Sequence, residues 1–258
     1  MQDLKVTLVQ PDMLWQSPEQ NREMYERLLD EHDSDTDLVL LPEMFSTGFT
    51  MDSRTAAEAM GGPTCQWLQQ QARQRGVAIC GSLAIREGDQ FFNRMLFTFP
   101  DGTQRHYDKR HLFRMAGEHE RYQPGAERVV VEYKGWRILL QVCYDLRFPV
   151  FSRNRNDYDL ALYVANWPAV RRQPWRKLLQ ARAIENLCYI AGVNRVGKDA
   201  NGHEYSGDSM LVDFLGEPLI DEPAGQPFVK TLALSADDLE QFKERFPAWM
   251  DADQFICS

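Results

Sequence analysis

Three side chains of different chemistry occupy similar places along this chain. Cys143 ends the apolar run Trp136-Arg-Ile-Leu-Leu-Gln-Val, Glu43 follows Asp37-Leu-Val-Leu-Leu-Pro42, and Lys109 follows Gln104-Arg-His-Tyr-Asp. A short apolar run bounded by polar residues predicts a buried strand, and open α/β sheets collect their reactive groups at strand carboxyl ends. Free cysteine is mostly a small buried hydrophobe. Cys143 differs from Cys65, Cys80, Cys188 and Cys257 because Tyr144-Asp-Leu-Arg147 and Pro149 follow it at once. That sequence sets the sulfur at a strand-to-helix junction, where unpaired backbone N–H groups stabilise an anion.

A thiol that cleaves an amide needs a group to take its proton, donors for the developing oxyanion, and a proton for the departing amine. Histidine is the usual base, and the chain has His32, His106, His111, His119 and His203. None follows a buried strand as Glu43 does; His32 falls at a charged helix end and His203 in a Gly- and Asn-rich turn. A papain-like Cys–His pair is therefore the weaker reading, and the carboxylate of Glu43 with the ammonium of Lys109 is the stronger. Against it stand the ordinary alternatives of a surface carboxylate, a solvated cation and a core thiol, which the coincidence of three strand-end contexts disfavours.

The contexts Leu-Leu-Pro-Glu43-Met-Phe, Tyr-Asp-Lys109-Arg-His-Leu-Phe and Gln-Val-Cys143-Tyr-Asp-Leu-Arg-Phe-Pro, in this order, resemble the nitrilase superfamily of carbon–nitrogen hydrolases and its Glu-Lys-Cys triad. The resemblance extends through Asn166-Trp167-Pro168 and Ala181-Arg-Ala-Ile-Glu185-Asn186 and spans essentially the whole chain. It implies an α/β fold, a four-layer α-β-β-α sandwich, and a homodimer paired near the helix that follows the nucleophile. It also implies roles. Glu43, enclosed by apolar neighbours, would take the thiol proton and later give one to ammonia. Lys109, with the backbone N–H of Tyr144, would hold the oxyanion while a thioester forms on Cys143. The superfamily carries a second glutamate ahead of a Pro-Gly pair; Glu118 fits by its distance from Pro124-Gly125, with Glu120 as the alternative.

Cys143-Tyr-Asp-Leu-Arg147-Phe-Pro is similar to the ω-amidase branch, which hydrolyses the terminal amide of short dicarboxylic monoamides such as 2-oxoglutaramate and 2-oxosuccinamate. An acid-bearing substrate needs a cation at its far end, and Arg147 is a candidate clamp; an ion pair with Asp145 is the competing role. Phe45, Phe49 and Trp167 are candidate pocket walls, although aromatic residues near strand ends are more often core. The rival functions are an N-carbamoyl or aliphatic amide hydrolase, a non-catalytic binding protein on the same fold, and a redox-sensing thiol. The chemistry requires no metal or organic cofactor.

The rest of the chain must position these groups. Its 258 residues, 43% of them hydrophobic, suffice for one large core, so the expectation is a single domain, 1–258. No long apolar segment marks a membrane span or signal peptide. Five widely spaced cysteines argue against a disulfide framework, so reduced thiols in the cytoplasm are expected. A net charge of −9 disfavours nucleic acid, despite the basic groups Lys109-Arg110-His111 with Arg114 and Arg171-Arg172 with Arg176-Lys177. There is no Gly-x-Gly-x-x-Gly, Walker loop or His-Glu-x-x-His.

In order, the pattern predicts a half-buried strand over Leu4 to Val9, and a helix opened by a capping box at Ser17-Pro-Glu-Gln20 with Met24, Leu28 and Leu29 inward. Next come a central strand ending at Pro42 and a helix from Pro63 to Arg75, then strands over Val77–Ile85, Phe91–Phe99 and Gln104–Lys109. A polar connection runs from His111 to Glu127, longer than loops without a job. A hairpin across Lys134-Gly135 delivers Cys143. Strand Leu160–Ala165, helix Gln173–Asn186 and strands Tyr189–Asn194, Ser209–Phe214 and Phe228–Leu234 follow, with a turn at Gly216-Glu-Pro218. Ser235 caps a last helix with Leu239 and Phe242 inward.

Overall fold

The structure is a computed structural model that describes residues 1–32 and 35–253; Cys257 lies outside them. The first half supplies strands β1 (Leu4–Gln10), β2 (Leu38–Leu40), β3 (Glu58–Ala59), β4 (Ala78–Glu87), β5 (Gln90–Thr98) and β6 (Gln104–Asp108). The second half supplies β7 (Val130–Tyr133), β8 (Trp136–Val142), β9 (Leu160–Val164), β10 (Tyr189–Val193), the small hairpin β11 (Val196–Lys198) and β12 (Glu204–Ser206), then β13 (Met210–Val212), β14 (Pro218–Asp221) and β15 (Phe228–Leu234). One sheet runs β15-β1-β2-β4-β5-β6 with β3 beside β4, and the other runs β14-β13-β10-β9-β8-β7. Helices α1 (Pro18–Glu31), α2 (Ser53–Ala56), α3 (Pro63–Arg75), α4 (Pro149–Ser152), α5 (Arg172–Asn186) and α6 (Ala236–Arg245) complete the chain.

The alternation of side chains along each strand builds the layers. On β2, Leu38 and Leu40 face the second sheet, packing in one core with Ile138, Leu140 and Leu162, while Val39 and Leu41 pack with Tyr25, Leu29, Trp67 and Leu68 of α1 and α3. Trp175, Leu179 and Ala183 of α5 and Leu239 of α6 cover the outside of the second sheet. The result is the α-β-β-α sandwich. At the centre of each sheet the strands are parallel, β1-β2-β4 and β8-β9-β10. Parallel strands covered on both faces must be apolar throughout, which is why β2 and β9 show no polar alternation.

Several local expectations differ. β1 is buried on both faces except at Lys5, because β15 and β2 flank it and both sheet faces are covered. Helix α1 starts at Pro18, yet Ser17 does not cap it; its hydroxyl donates to the Trp15 carbonyl. Ser235 does cap α6, accepting from the Asp238 N–H at 3.1 Å. Pro218 does not merely close a turn but begins β14, an edge strand where a missing N–H is harmless. The two-residue β3 and the β11–β12 hairpin are too short for periodicity to announce.

The connection from His111 to Glu127 folds over the site in two 3-10 turns, Arg114–Ala116 and Glu118–Glu120. Its exit is pinned at Gly125, whose N–H donates to the Lys109 carbonyl at 3.0 Å. A Cβ at Gly125 would lie 2.1 Å from the Asp108 carbonyl oxygen, so backbone meets backbone there. Gly125→Ala should cost about 2 kcal/mol of stability by overpacking and reduce turnover by displacing Lys109. A urea midpoint and activity both at wild-type levels would refute this contact.

Candidate active site

Strand ends from both sheets converge. Glu43 follows β2, Lys109 follows β6, Cys143 follows β8, Asn166 follows β9 and Asn194 follows β10. Two of these ends turn through left-handed backbone at residues that are not glycine: Cys143 at φ 45° and Met44 at φ 42°. Such a conformation costs on the order of 1 kcal/mol, so the surroundings must impose it. At Cys143 the imposing group is Asp145. Its Oδ2 accepts from the Val142 N–H at 2.9 Å and the Tyr107 hydroxyl at 2.8 Å, and its Oδ1 accepts from the His111 N–H at 3.0 Å. His111 Nδ1 also lies 2.7 Å from Oδ1, and its ring stacks on Phe148 at 3.9 Å. A tight 3-10 turn, Cys143–Arg147, is held under the sulfur in this way. Asp145 is thus fully engaged, and the ion pair with Arg147, the competing role for that arginine, is not made.

Glu43, Lys109 and Glu118 are brought together without solvent exposure at any of the three carboxylate or ammonium groups. Lys109 Nζ donates to Glu43 Oε1 at 2.8 Å and to Glu118 Oε2 at 2.9 Å. Asn93 donates through Nδ2 to the same Glu43 oxygen at 2.7 Å and to Glu118 Oε1 at 3.1 Å. Asn93 is itself fixed through Oδ1, which accepts from the Ser82 hydroxyl at 2.8 Å. Glu43 Oε2 accepts from the Asn166 N–H at 2.9 Å, and Glu118 Oε2 from the Phe113 N–H at 2.6 Å. Glu120 is exposed, away from this network. Asn93, Asn166 and Asp145 were not legible as site residues, since each sits in an ordinary strand or turn context and acts through another residue.

The electrostatics follow from this packing. Burial alone would lower the Lys109 ammonium, but Glu118 and Glu43 outweigh it and hold it above the ordinary lysine range. Burial, reinforced by Glu43 against the opposing pull of Lys109, raises the Glu118 carboxyl. Desolvation and then the Glu43 carboxylate push the Cys143 thiol well up, against the opposing pull of Lys109. The resting thiol is therefore protonated, with the Glu43 carboxylate near enough to act on it.

The thiol opens into a cleft of about 670 Å³ whose lining includes Phe49, Lys109, Tyr144, Arg147, Asn166 and Trp167. Lys109 Nζ lies 5.1 Å from the Phe49 ring centre, and the Arg147 guanidinium lies 5.0 Å over the Trp167 ring. Trp167 is held by its N–H to Asn194 Oδ1 at 2.9 Å and by Nε1 to the Arg171 carbonyl at 2.8 Å. Phe45 is not a cleft wall; it is fully buried against Tyr25 and Trp67 behind the first sheet. Among the described residues, no group of three or more histidine, cysteine, aspartate or glutamate side chains is arranged to hold a metal ion.

The sequence profile of the carbon-nitrogen hydrolase family matches residues 5–244. The chain belongs to the carbon-nitrogen hydrolases. It is 51% identical over 258 residues to the ω-amidase YafV of Yersinia enterocolitica, and 48% identical over 255 residues to YafV of Escherichia coli strain K12, each comparison covering 99% of both chains. The 2-oxoglutaramate amidase of Bacillus subtilis is 28% identical over 95% of this chain and 96% of its own. A crystal structure of the CN-hydrolase superfamily protein XC1258 from Xanthomonas campestris superposes over the whole of both chains with a TM-score of 0.97 at 49% identity, and that protein carries an arsenic adduct in its active site.

The two candidate second glutamates are separated by substitution. Glu118→Ala would strand the Lys109 ammonium with one carboxylate and leave the Phe113 N–H without its acceptor, a loss of about 3 kcal/mol. Glu120→Ala should stay within about 0.5 kcal/mol of wild type. Equal denaturation midpoints for the two variants would contradict the network.

Proposed function

We propose that Cys143 is the acyl-carrying nucleophile of an ω-amidase, with Glu43 as proton carrier and Lys109 as oxyanion donor. The chain is an amidase of the carbon-nitrogen hydrolase family and falls in its ω-amidase branch. The observation that carries the residue assignment is the buried pair of Lys109 Nζ and Glu43 Oε1 at 2.8 Å, close enough to Cys143 for both to act electrostatically on its thiol. As Sγ bonds to the amide carbon, the thiol proton passes to Glu43 and the carbonyl pair moves onto oxygen, facing the Lys109 ammonium and the Tyr144 N–H. The C–N bond then breaks as Glu43 returns the proton to nitrogen, and ammonia leaves a thioester on Cys143. Water, deprotonated by Glu43, releases the acid and the thiol. Glu118 never touches the reacting atoms in this scheme; it holds Lys109 in place and keeps it charged.

The substrates are short dicarboxylic monoamides such as 2-oxoglutaramate and 2-oxosuccinamate. Two supports are on hand: the ω-amidase and 2-oxoglutaramate amidase relatives, and an arginine at the cleft that no carboxylate of the described residues neutralises. Arg147 is offered as the clamp for the far carboxylate, with Phe49 and Trp167 as walls. A neutral aliphatic amide would leave that guanidinium without an anion, which disfavours the aliphatic-amidase alternative.

The same reading takes the chain as one hydrolase domain, 1–258, working as a homodimer in the cytoplasm. Val150 on α4, Ile184 on α5 and the nearby Leu215 each expose more than half of their surface, which supports pairing on that side. Among the described residues no helix is long and apolar enough to cross a membrane. Cys65, Cys80, Cys143 and Cys188 are free thiols, consistent with a reducing compartment.

Purified protein given 2-oxoglutaramate should release ammonia, and Cys143→Ala should abolish the release; retained turnover in that variant would sink the thioester route. Arg147→Ala should raise KM for acid-bearing amides by one to two orders of magnitude (about 1.5–3 kcal/mol for a charge-assisted pair). A neutral amide of the same length should be unaffected. If KM rises equally for both, Arg147 is a wall and not a clamp.

A further inference from the structure

The basic run Arg171-Arg172 with Arg176 divides in the fold. Arg172 donates through Nη2 to Asp208 Oδ1 at 2.6 Å, and Arg176 donates through Nη2 to Asp221 Oδ2 at 2.6 Å, so both have anionic partners. Arg171 has none: among the described residues its guanidinium makes no hydrogen bond and no ion pair, and it lies 5.3 Å over the Phe113 ring. Its backbone is fixed to a second ring, because the Arg171 carbonyl accepts from Trp167 Nε1 at 2.8 Å. Phe113 and Trp167 both line the cleft, and Phe113 meets edge-on the ring of Tyr144, the residue next to Cys143. Arg147, whose guanidinium lies over Trp167, is likewise without an acceptor among the described residues. Asp52 and Asp199 line the same cleft but pair with neither arginine. Two partly buried guanidinium groups, each over a ring that lines one cleft, therefore present two forks of N–H donors with no protein oxygen to receive them.

We propose that Arg171 is a specificity-determining residue that donates to the 2-oxo oxygen of the substrate while Arg147 holds its carboxylate, so that the cleft selects 2-oxo dicarboxylic monoamides over plain monoamides of the same length. The inference rests on the amidase reading and the Arg147 clamp given above, and adds to them the recognition of the oxo group. A carboxylate has two oxygens and matches one guanidinium fork. A plain monoamide such as succinamate spends that carboxylate on Arg147 and offers only a methylene to the second fork. Binding it takes water from the Arg171 guanidinium and returns no acceptor, which is how a polar site rejects an analogue lacking one oxygen. A 2-oxo acid places a carbonyl oxygen on the carbon next to the carboxylate, where the second guanidinium receives it. Arg171 neither gives up a proton nor touches the scissile bond; it acts through the difference in binding between the two substrates.

Those two substrates differ only at one carbon, so the ratio of their rates isolates the contact. kcat/KM is to be measured for 2-oxosuccinamate and for succinamate, with wild type, Arg171→Met, which keeps an unbranched stem against Phe113, and Arg171→Ala, the folded state of each variant being checked by thermal melting. In the methionine variant the ratio of kcat/KM for 2-oxosuccinamate to that for succinamate is expected to fall roughly tenfold, through KM for the 2-oxo substrate. A ratio equal to that of wild type, whether both substrates are slowed alike or neither is, overturns the proposal and leaves Arg171 a general attractor of anions or a wall. If the methionine chain does not fold, the ratio measured with the alanine variant decides between these two outcomes. Wild-type protein that cleaves neither substrate would instead overturn the amidase reading, so the two failures are distinguishable.

Discussion

The ammonium of Lys109, buried between two carboxylates with no solvent contact, is the constraint that the rest of the site obeys. Removing an ion from water costs several kcal/mol, and two carboxylates packed side by side would repel each other strongly. One cation between them makes both tolerable. Asn93 joins the two acids from the opposite side, and backbone N–H groups of Asn166 and Phe113 take the remaining acceptor positions. Every member depends on the others, so the geometry is held by polar satisfaction and not by apolar packing alone.

That arrangement also bears on the proposed use of a neutral thiol as the nucleophile. Desolvation and the neighbouring carboxylate disfavour a resting thiolate. In the proposed mechanism a proton that leaves only as the sulfur attacks passes directly to Glu43, while the negative charge appears on the carbonyl oxygen, within the field of Lys109. The contrast with the other cysteines is one of neighbours. Burial and then the Glu58 carboxylate push Cys65 up to about 12, and Cys80 is raised by burial alone.

Around this centre the cleft carries charges of both signs. The chain is net negative, at −9, yet Arg147 and Arg171 line the opening over Trp167 and Phe113. Asp52 and Asp199 line it too, the Asp199 oxygens accepting from the N–H groups of Asn201 and His203 and from the Tyr205 hydroxyl.

What could be read from the chain alone was whatever depends on local order. Alternation and apolar runs placed most strands and the long helices, because side-chain periodicity is set by backbone geometry before any tertiary contact forms. Glu43, Lys109 and Cys143 stood out because each ends a strand. Tertiary structure alone decided which residues join them. Asn93 looks like any strand residue until β5 lies beside both acids, and the spacing to Pro124-Gly125 favours Glu118 over Glu120 but only the folded connection buries the one and exposes the other. Ser17 had the signature of a cap but found a nearer acceptor, and Phe45 had the look of a pocket wall but faces the helices. Arg147 could have paired with Asp145 until His111, Tyr107 and the Val142 N–H filled that carboxylate. Local pattern determines where a side chain leaves the backbone. Which partner it meets is a matter of hydrogen-bond competition among groups distant in sequence, and that competition is settled only when the two sheets are stacked.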